Sequence, residues 1–255
     1  MQVDAFAGQV FSGNPSAVCP LETWLPDAQM QAIAAEINLA DTAFFVRNGS
    51  GYQLRWFTPL VEVELCGHAT LASAFVILND FTSGERSVSF ETKGGALTVT
   101  REGDLYSLDF PSRPPQPCDN VYPGLLAALG GKPQAVLAAR DYVVVYGSEV
   151  EIRSLKPDMQ RLMTIDRFAV IATAPGNASD FVSRFFAPAQ GVPEDPVTGS
   201  AHCSLIPYWS QRLGKKKLHA YQVSARGGEL WCEDRGERVT ISGKAVRFLE
   251  GTILL

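Results

Sequence analysis

Apolar and polar positions alternate along this chain with two different periods. Downstream of Pro26 the apolar residues fall at helical spacing. That predicts a helix over Asp27–Ile37 with proline in its first turn and an acid beside it, as helix N-termini favour. Ala43–Val46 and Gln53–Phe57 are predicted strands. Ala69–Leu78 is almost wholly apolar, which fits a helix buried on all sides. Ser87–Glu91, Ala96–Arg101 and Leu105–Phe110 are short predicted strands separated by glycine-containing turns, the last two forming a hairpin around Glu102-Gly103-Asp104. The second half follows suit, with helices over Asp158–Met163 and Ala201–Leu213 and strands over Phe168–Ala172, Leu230–Glu233 and Arg238–Ser242. Pro111–Pro117 is the one proline-dense stretch and the natural linker, leaving an N-terminal lobe over 1–115 and a C-terminal lobe over 116–255.

The two halves resemble each other. Pro26-Asp27-Ala28-Gln29 returns as Pro157-Asp158-Met159-Gln160, and Arg55-Trp56-Phe57-Thr58-Pro59 as Arg184-Phe185-Phe186-Ala187-Pro188. Gly67-His68-Ala69 returns as Gly199-Ser200-Ala201, Lys93-Gly94-Gly95-Ala96-Leu97 as Arg226-Gly227-Gly228-Glu229-Leu230, and Gly103 as Gly236. The order is kept and every offset lies between 129 and 133 positions, which marks a tandem duplication. Two copies at so long a period are not a solenoid, whose units are far shorter. They predict an α+β protein of two duplicated lobes, each a curled, mostly antiparallel sheet around a central helix, facing each other across a pseudo-twofold axis.

Composition narrows the function classes. At 255 residues, 46% hydrophobic and 19% charged, the chain can bury a substantial core without staples and is too ordinary for disorder or a disulfide scaffold. The net charge is −5, and the one basic run, Lys215-Lys216-Lys217, reads as a solvated face after a helix stop at Gly214; nucleic acid is not an expected partner. No stretch approaches the ~18 apolar residues of a membrane span, and Met1–Phe6 lacks the pattern of a signal peptide. Five scattered cysteines without a C-x-x-C pair, and three histidines without H-E-x-x-H, argue against a disulfide framework and a zinc motif. The expectation is a cytoplasmic protein with no metal.

In both halves a Gly-polar-small element precedes the buried helix: Cys66-Gly67-His68-Ala69-Thr70 and Thr198-Gly199-Ser200-Ala201. A helix N-terminus offers unpaired N–H groups and a positive dipole end, suited to a carboxylate, and glycine admits close approach. The duplication would aim both N-termini at one cleft. As single copies they are equally turn and cap chemistry, with Thr198 a plain N-cap and Cys66 a small buried hydrophobe. Asp195, before Pro196, is barred from helical geometry and is either a loop cap or a substrate-facing acid. Asp41, between a helix end and an apolar strand, is either a turn residue bonded to its own backbone or a carboxylate that takes and returns a proton. Gly13-Asn14-Pro15 reads as a turn, with the Asn14 amide open to a ligand.

At these residues the chain resembles the phenazine-biosynthesis (PhzF-like) isomerase family. Asp4-Ala5-Phe6, Gly13-Asn14-Pro15 with Ala17-Val18, and Asn38-Leu39-Ala40-Asp41-Thr42-Ala43-Phe44 match its early motifs; Arg55-Trp56-Phe57-Thr58-Pro59, Cys66-Gly67-His68-Ala69-Thr70 and Asp195-Pro196-Val197-Thr198-Gly199-Ser200-Ala201-His202 match its later ones, in order. The resemblance implies the diaminopimelate-epimerase fold, a homodimer and no cofactor. It implies that Asp41 is the general acid/base, which in the characterised member moves a proton between ring carbons of 2,3-dihydro-3-hydroxyanthranilate. His68 and Asp195 would orient or protonate, and Asn14, Gly67, Thr198, Gly199 and Ser200 would bind a small carboxylated substrate. The family acid is usually glutamate, so the shorter aspartate here moves the carboxylate, and displacement on the order of 1 Å can cost about 10²-fold in rate. More distant epimerases use two facing cysteines; Cys66 fits one position but its counterpart is Thr198, which leaves a dehydratase or epimerase using Cys66 alone as one alternative. The other alternative is a catalytically lapsed member serving as a protein-binding partner.

Overall fold

Strand pairing follows one scheme twice in the computed structural model, which describes every residue except Ser83. In the first half Asn14–Leu21 lies parallel to Asp41–Asn48, with Ser16 opposite Asp41, and the Asp27–Ile37 helix forms the crossover that a parallel pair requires. Asp41–Asn48 then turns back antiparallel onto Gly51–Phe57. That strand is parallel to Ser87–Thr92, with the Gly67–Val76 helix in the connection, and Ser87–Thr92 is antiparallel to Gly95–Glu102. In the second half Tyr142–Val145 is parallel to Val170–Pro175 across the helices Glu149–Ser154 and Met159–Leu162, and Val170–Pro175 is antiparallel to Phe181–Ala187. Phe181–Ala187 is parallel to Lys217–Gln222 across the Gly199–Leu213 helix, and Lys217–Gln222 is antiparallel to Gly228–Asp234. The sequence repeat is thus a repeat of hydrogen-bonding topology.

The compact units are Met1–Asp109 together with Ser242–Leu255, and Phe110–Ile241. This departs from the expected division at 115/116 at both ends. The final strand, Ala245–Leu249, pairs antiparallel with Gln2–Ala5, so the last residues complete the first unit. The proline-rich stretch belongs to the second unit: the Arg113 amide donates to the Cys203 carbonyl at 2.9 Å, and Gln116–Pro117 pairs with Leu137 and Ala138.

The Gly67–Val76 helix carries small or apolar side chains all round, and eight of its ten residues are buried. It packs on Gln2–Ala5, Asn14–Leu21 and Asp41–Asn48. Its two internal hydroxyls are satisfied within the helix, Thr70 donating to the Cys66 carbonyl at 2.6 Å and Ser73 to that of Ala69 at 2.7 Å, so they can sit in an apolar setting. It begins two residues earlier than periodicity predicted and passes into a π-helical turn at Ile77–Phe81. The Gly199–Leu213 helix also begins two residues early. It stops at Gly214 in the left-handed conformation, and Trp209 within it stacks on Phe181 and donates to Thr173 Oγ1 at 2.9 Å. The strand expected at Phe168–Ala172 is shifted to Val170–Pro175 because Phe168 lies outside, under the Arg140 guanidinium.

The repeated Arg-x-Phe is structural in both units. Arg55 makes a two-pronged pair with Glu62 (2.7 and 2.9 Å) and lies over the Phe57 ring; Arg184 does the same with Glu194 (2.7 and 2.9 Å) and Phe186. Hydrogen bonds from Arg55 and, less strongly, from Lys93 hold the Glu62 carboxyl down at about 2 against its partial burial. Among the described residues no helix is long and apolar enough to cross a membrane.

Candidate active-site residues

In the first unit the helix ending at Ile37 is closed by Asn38 in the left-handed conformation, so Asp41 is freed from any turn role and opens the next strand. Its backbone is held by its strand pairing and by the Ser16 hydroxyl, which donates to the Asp41 carbonyl at 3.2 Å. The helix from Gly67 begins at Cys66, whose extended backbone makes it the N-cap but whose side chain caps none of the first-turn amides; no acid lies in that turn. His68, one residue into the helix, places Nε2 3.5 Å from Asp41 Oδ2 and Nδ1 3.5 Å from Cys66 Sγ. Burial holds the His68 imidazole down at about 4, so at neutral pH it is uncharged, with one donor and one acceptor nitrogen. A carboxylate, a neutral imidazole and a thiol therefore share one small volume, each able to carry a proton.

Asn14 is fully buried on the strand beside Asp41, two residues before Ser16. The preceding Gly13 has φ +67°, and a Cβ there would fall 2.2 Å from the Ala5 carbonyl oxygen, so only glycine lets the chain enter this strand as it does. Asn14 is thus in the strand, and the turn lies before it.

In the second unit Thr198 is the N-cap of the Gly199–Leu213 helix, but its hydroxyl donates to Asp195 Oδ2 at 2.5 Å instead of capping an amide. Gln222, fully buried, ties both residues together: its side-chain nitrogen donates to the Asp195 carbonyl at 2.7 Å and to Thr198 Oγ1 at 3.1 Å, and its oxygen accepts the Thr198 amide at 2.9 Å. Ser200 Oγ accepts from Arg140 at 3.2 Å, while Arg140 grips the buried Asp141 with two 3.0 Å bonds. His202 Nδ1 donates to the Thr198 carbonyl at 2.8 Å, and burial brings this imidazole also to about 4. A Cβ on Gly199 would meet nothing within 4 Å, so that backbone faces open space.

The structure therefore joins Asp41 with His68, and Asp195 with Thr198. Gln222 and Arg140 are polar participants that sequence reading missed. Arg140 precedes a buried acid and Gln222 ends an otherwise alternating strand; neither pattern marks a site. The sequence carried no metal motif, yet Asp41, Cys66 and His68 offer carboxylate, thiol and imidazole atoms all within 4.8 Å of one another.

An α+β chain built from two copies of one strand-and-helix unit has the diaminopimelate-epimerase-like fold. The solved structure of a probable proline racemase from Agrobacterium radiobacter shares it at 12% identity, with a TM-score of 0.61 over 100% of this chain and 92% of that one. More narrowly, the model of the phenazine biosynthesis-like protein family (PhzC-PhzF) matches residues 3–251. An uncharacterized isomerase of Pseudomonas aeruginosa is 53% identical over 254 residues, covering 100% of this chain and 98% of the relative. The crystal structure of a PhzF-family phenazine biosynthesis protein from Enterococcus faecalis superposes with a TM-score of 0.97 at 48% identity, over 100% of this chain and 98% of that one. The chain belongs to the phenazine biosynthesis-like family and is an isomerase.

Proposed function

We propose that the protein moves a proton within a small carboxylated metabolite, cyclic or amino-bearing, by general acid/base catalysis without a cofactor. The observation that carries this reading is the 3.5 Å approach of Asp41 Oδ2 to an uncharged His68 at an uncapped helix start. Asp41 takes the proton from one carbon and returns it at another. His68, neutral at pH 7, donates to or accepts from the substrate as its charge shifts, and Asp195, fixed by Thr198 and Gln222, orients it. Backbone amides at Gly67 and Gly199, with Thr198, Ser200 and Asn14, hold the carboxylate and polar substituents. The resemblance supports these roles, since glutamate at the Asp41 position is the family acid. The same resemblance supports a homodimer, and five unbridged cysteines support a reducing compartment such as the cytoplasm.

The test is incubation with 2,3-dihydro-3-hydroxyanthranilate in D₂O, with deuterium uptake followed by NMR. Label uptake by the wild type, lost in Asp41→Asn, supports the reading; uptake that persists in Asp41→Asn removes Asp41 as the base. A second reading, with Cys66 as the base, is favoured by the 3.5 Å Cys66–His68 contact. Loss of exchange in Cys66→Ala with retention in Asp41→Asn would select it. Binding without exchange points to the same machinery on another amino-bearing carboxylate, and neither exchange nor binding points to the lapsed, partner-binding alternative.

A further inference from the structure

Asp41, Cys66 and His68 have a property that proton transfer does not require. They present three chemically different ligand atoms, one hard, one borderline and one soft, from two rigid elements: a strand start and the first turn of a buried helix. His68 Nε2 lies 3.5 Å from Asp41 Oδ2 and 4.0 Å from Cys66 Sγ, and all three donor atoms fall within 4.8 Å. A tetrahedral zinc ion with ordinary bond lengths holds its nitrogen and oxygen ligands roughly 3.3 Å apart and its nitrogen and sulfur ligands roughly 3.6 Å apart. The two sides that meet at His68 are those of such a triangle opened by a few tenths of an ångström, and the third is at most 4.8 Å, a gap that side-chain torsions can close.

We propose that these three side chains form a binding site for a thiophilic divalent transition metal, zinc above all, with three protein ligands and one open position. Calcium and magnesium are disfavoured, because they take oxygen ligands and need six or more of them. Binding exchanges the Cys66 thiol proton for the metal: the S–H bond breaks, a sulfur–metal bond forms and the proton leaves to solvent, with no change of oxidation state. The ion would occupy the carboxylate that the proposed reaction uses as its base. On that reading, metal and catalytic turnover exclude each other, and the site is a metal-sensitive off-switch. The binding claim itself does not depend on the reaction.

Cobalt(II) titrated into the metal-free full-length protein tests it. One equivalent should produce a thiolate-to-cobalt charge-transfer band in the near ultraviolet and the visible bands of a tetrahedral ion, both bleached by zinc. Cys66→Ser should abolish the charge-transfer band. Asp41→Asn, which leaves both other ligands in place, should weaken apparent affinity by about 10²-fold, with circular dichroism checking the fold of each variant. Absence of a charge-transfer band at tenfold excess cobalt, or a band that survives Cys66→Ser, overturns the site. Deuterium exchange by the metal-free protein, measured beside it, separates the two proposals. Exchange without cobalt binding removes the metal site alone; cobalt binding without exchange removes the proposed proton transfer on this substrate alone.

Discussion

The helices that open on Gly67 and Gly199 are two copies of one element, with a residue in extended conformation before the glycine, Cys66 or Thr198, and an alanine two residues after it. The side-chain approaches around them differ in length. Around Gly67 the His68 imidazole meets Asp41 Oδ2 at 3.5 Å, long for a hydrogen bond between nitrogen and oxygen, and Cys66 Sγ at 3.5 Å, an ordinary hydrogen-bond length for sulfur. Around Gly199 the bonds among Asp195, Thr198 and Gln222 span 2.5 to 3.1 Å. On the proposed function the longer imidazole–carboxylate approach serves proton handling and the shorter Asp195–Thr198–Gln222 bonds serve positioning of the ligand. Duplication supplied one backbone frame, and on the proposed function the divergence of a few side chains gives one copy to proton handling and the other to orientation.

The largest effect expected from this contrast is at Asp41. Asp41→Asn keeps size and hydrogen-bonding shape but removes the base; deuterium exchange should fall by about 10³-fold or more, with the melting temperature little changed. Next comes acid. Both His68 and His202 are held near 4, below the 6.5 of an unfolded histidine, so across this window the unfolded chain binds more protons. Stability should therefore be complete above about pH 6.5 and decline as pH falls towards 4, with each histidine contributing on the order of 3 kcal/mol at the limit. Urea midpoints measured across this range should show a slope that His202→Gln reduces by about half. Gln222→Ala comes third: it strips partners from Thr198 and from the Asp195 carbonyl, and should cost about 2–3 kcal/mol in denaturant unfolding. Smallest is Ser200→Ala, which removes one exposed acceptor of Arg140 and should raise KM by about fivefold with stability within about 0.5 kcal/mol.

Much of this was legible in the chain. The buried helix and the hairpin at Gly103 follow from periodicities local to each segment, the duplication follows from motifs that recur at offsets of 129–133 positions, and the pairing topology repeats with it. What local pattern could not reveal is contact across long separations. Ala245–Leu249 pairs with Gln2–Ala5 at the other end of the chain, a contact that a division at 115/116 read from the linker alone does not include. Thr198 looked like an ordinary cap, and it takes that position, but its hydroxyl goes to Asp195. Gln222 makes its bonds 24 and 27 positions away, and Ser200 meets Arg140 60 positions away. Asp41 joins Cys66 and His68 through packing of a helix on a strand, a juxtaposition that no C-x-x-C or H-E-x-x-H spacing announces.

The most direct test of the division between the two helix starts is a single pair of saturation curves for deuterium exchange, with Asp41→Asn beside Gln222→Ala. The account predicts a split: kcat collapses in Asp41→Asn while KM stays within a few-fold, and KM rises about tenfold or more in Gln222→Ala while kcat is largely retained. Equal loss of kcat in both variants, or retention of kcat in Asp41→Asn, would contradict it.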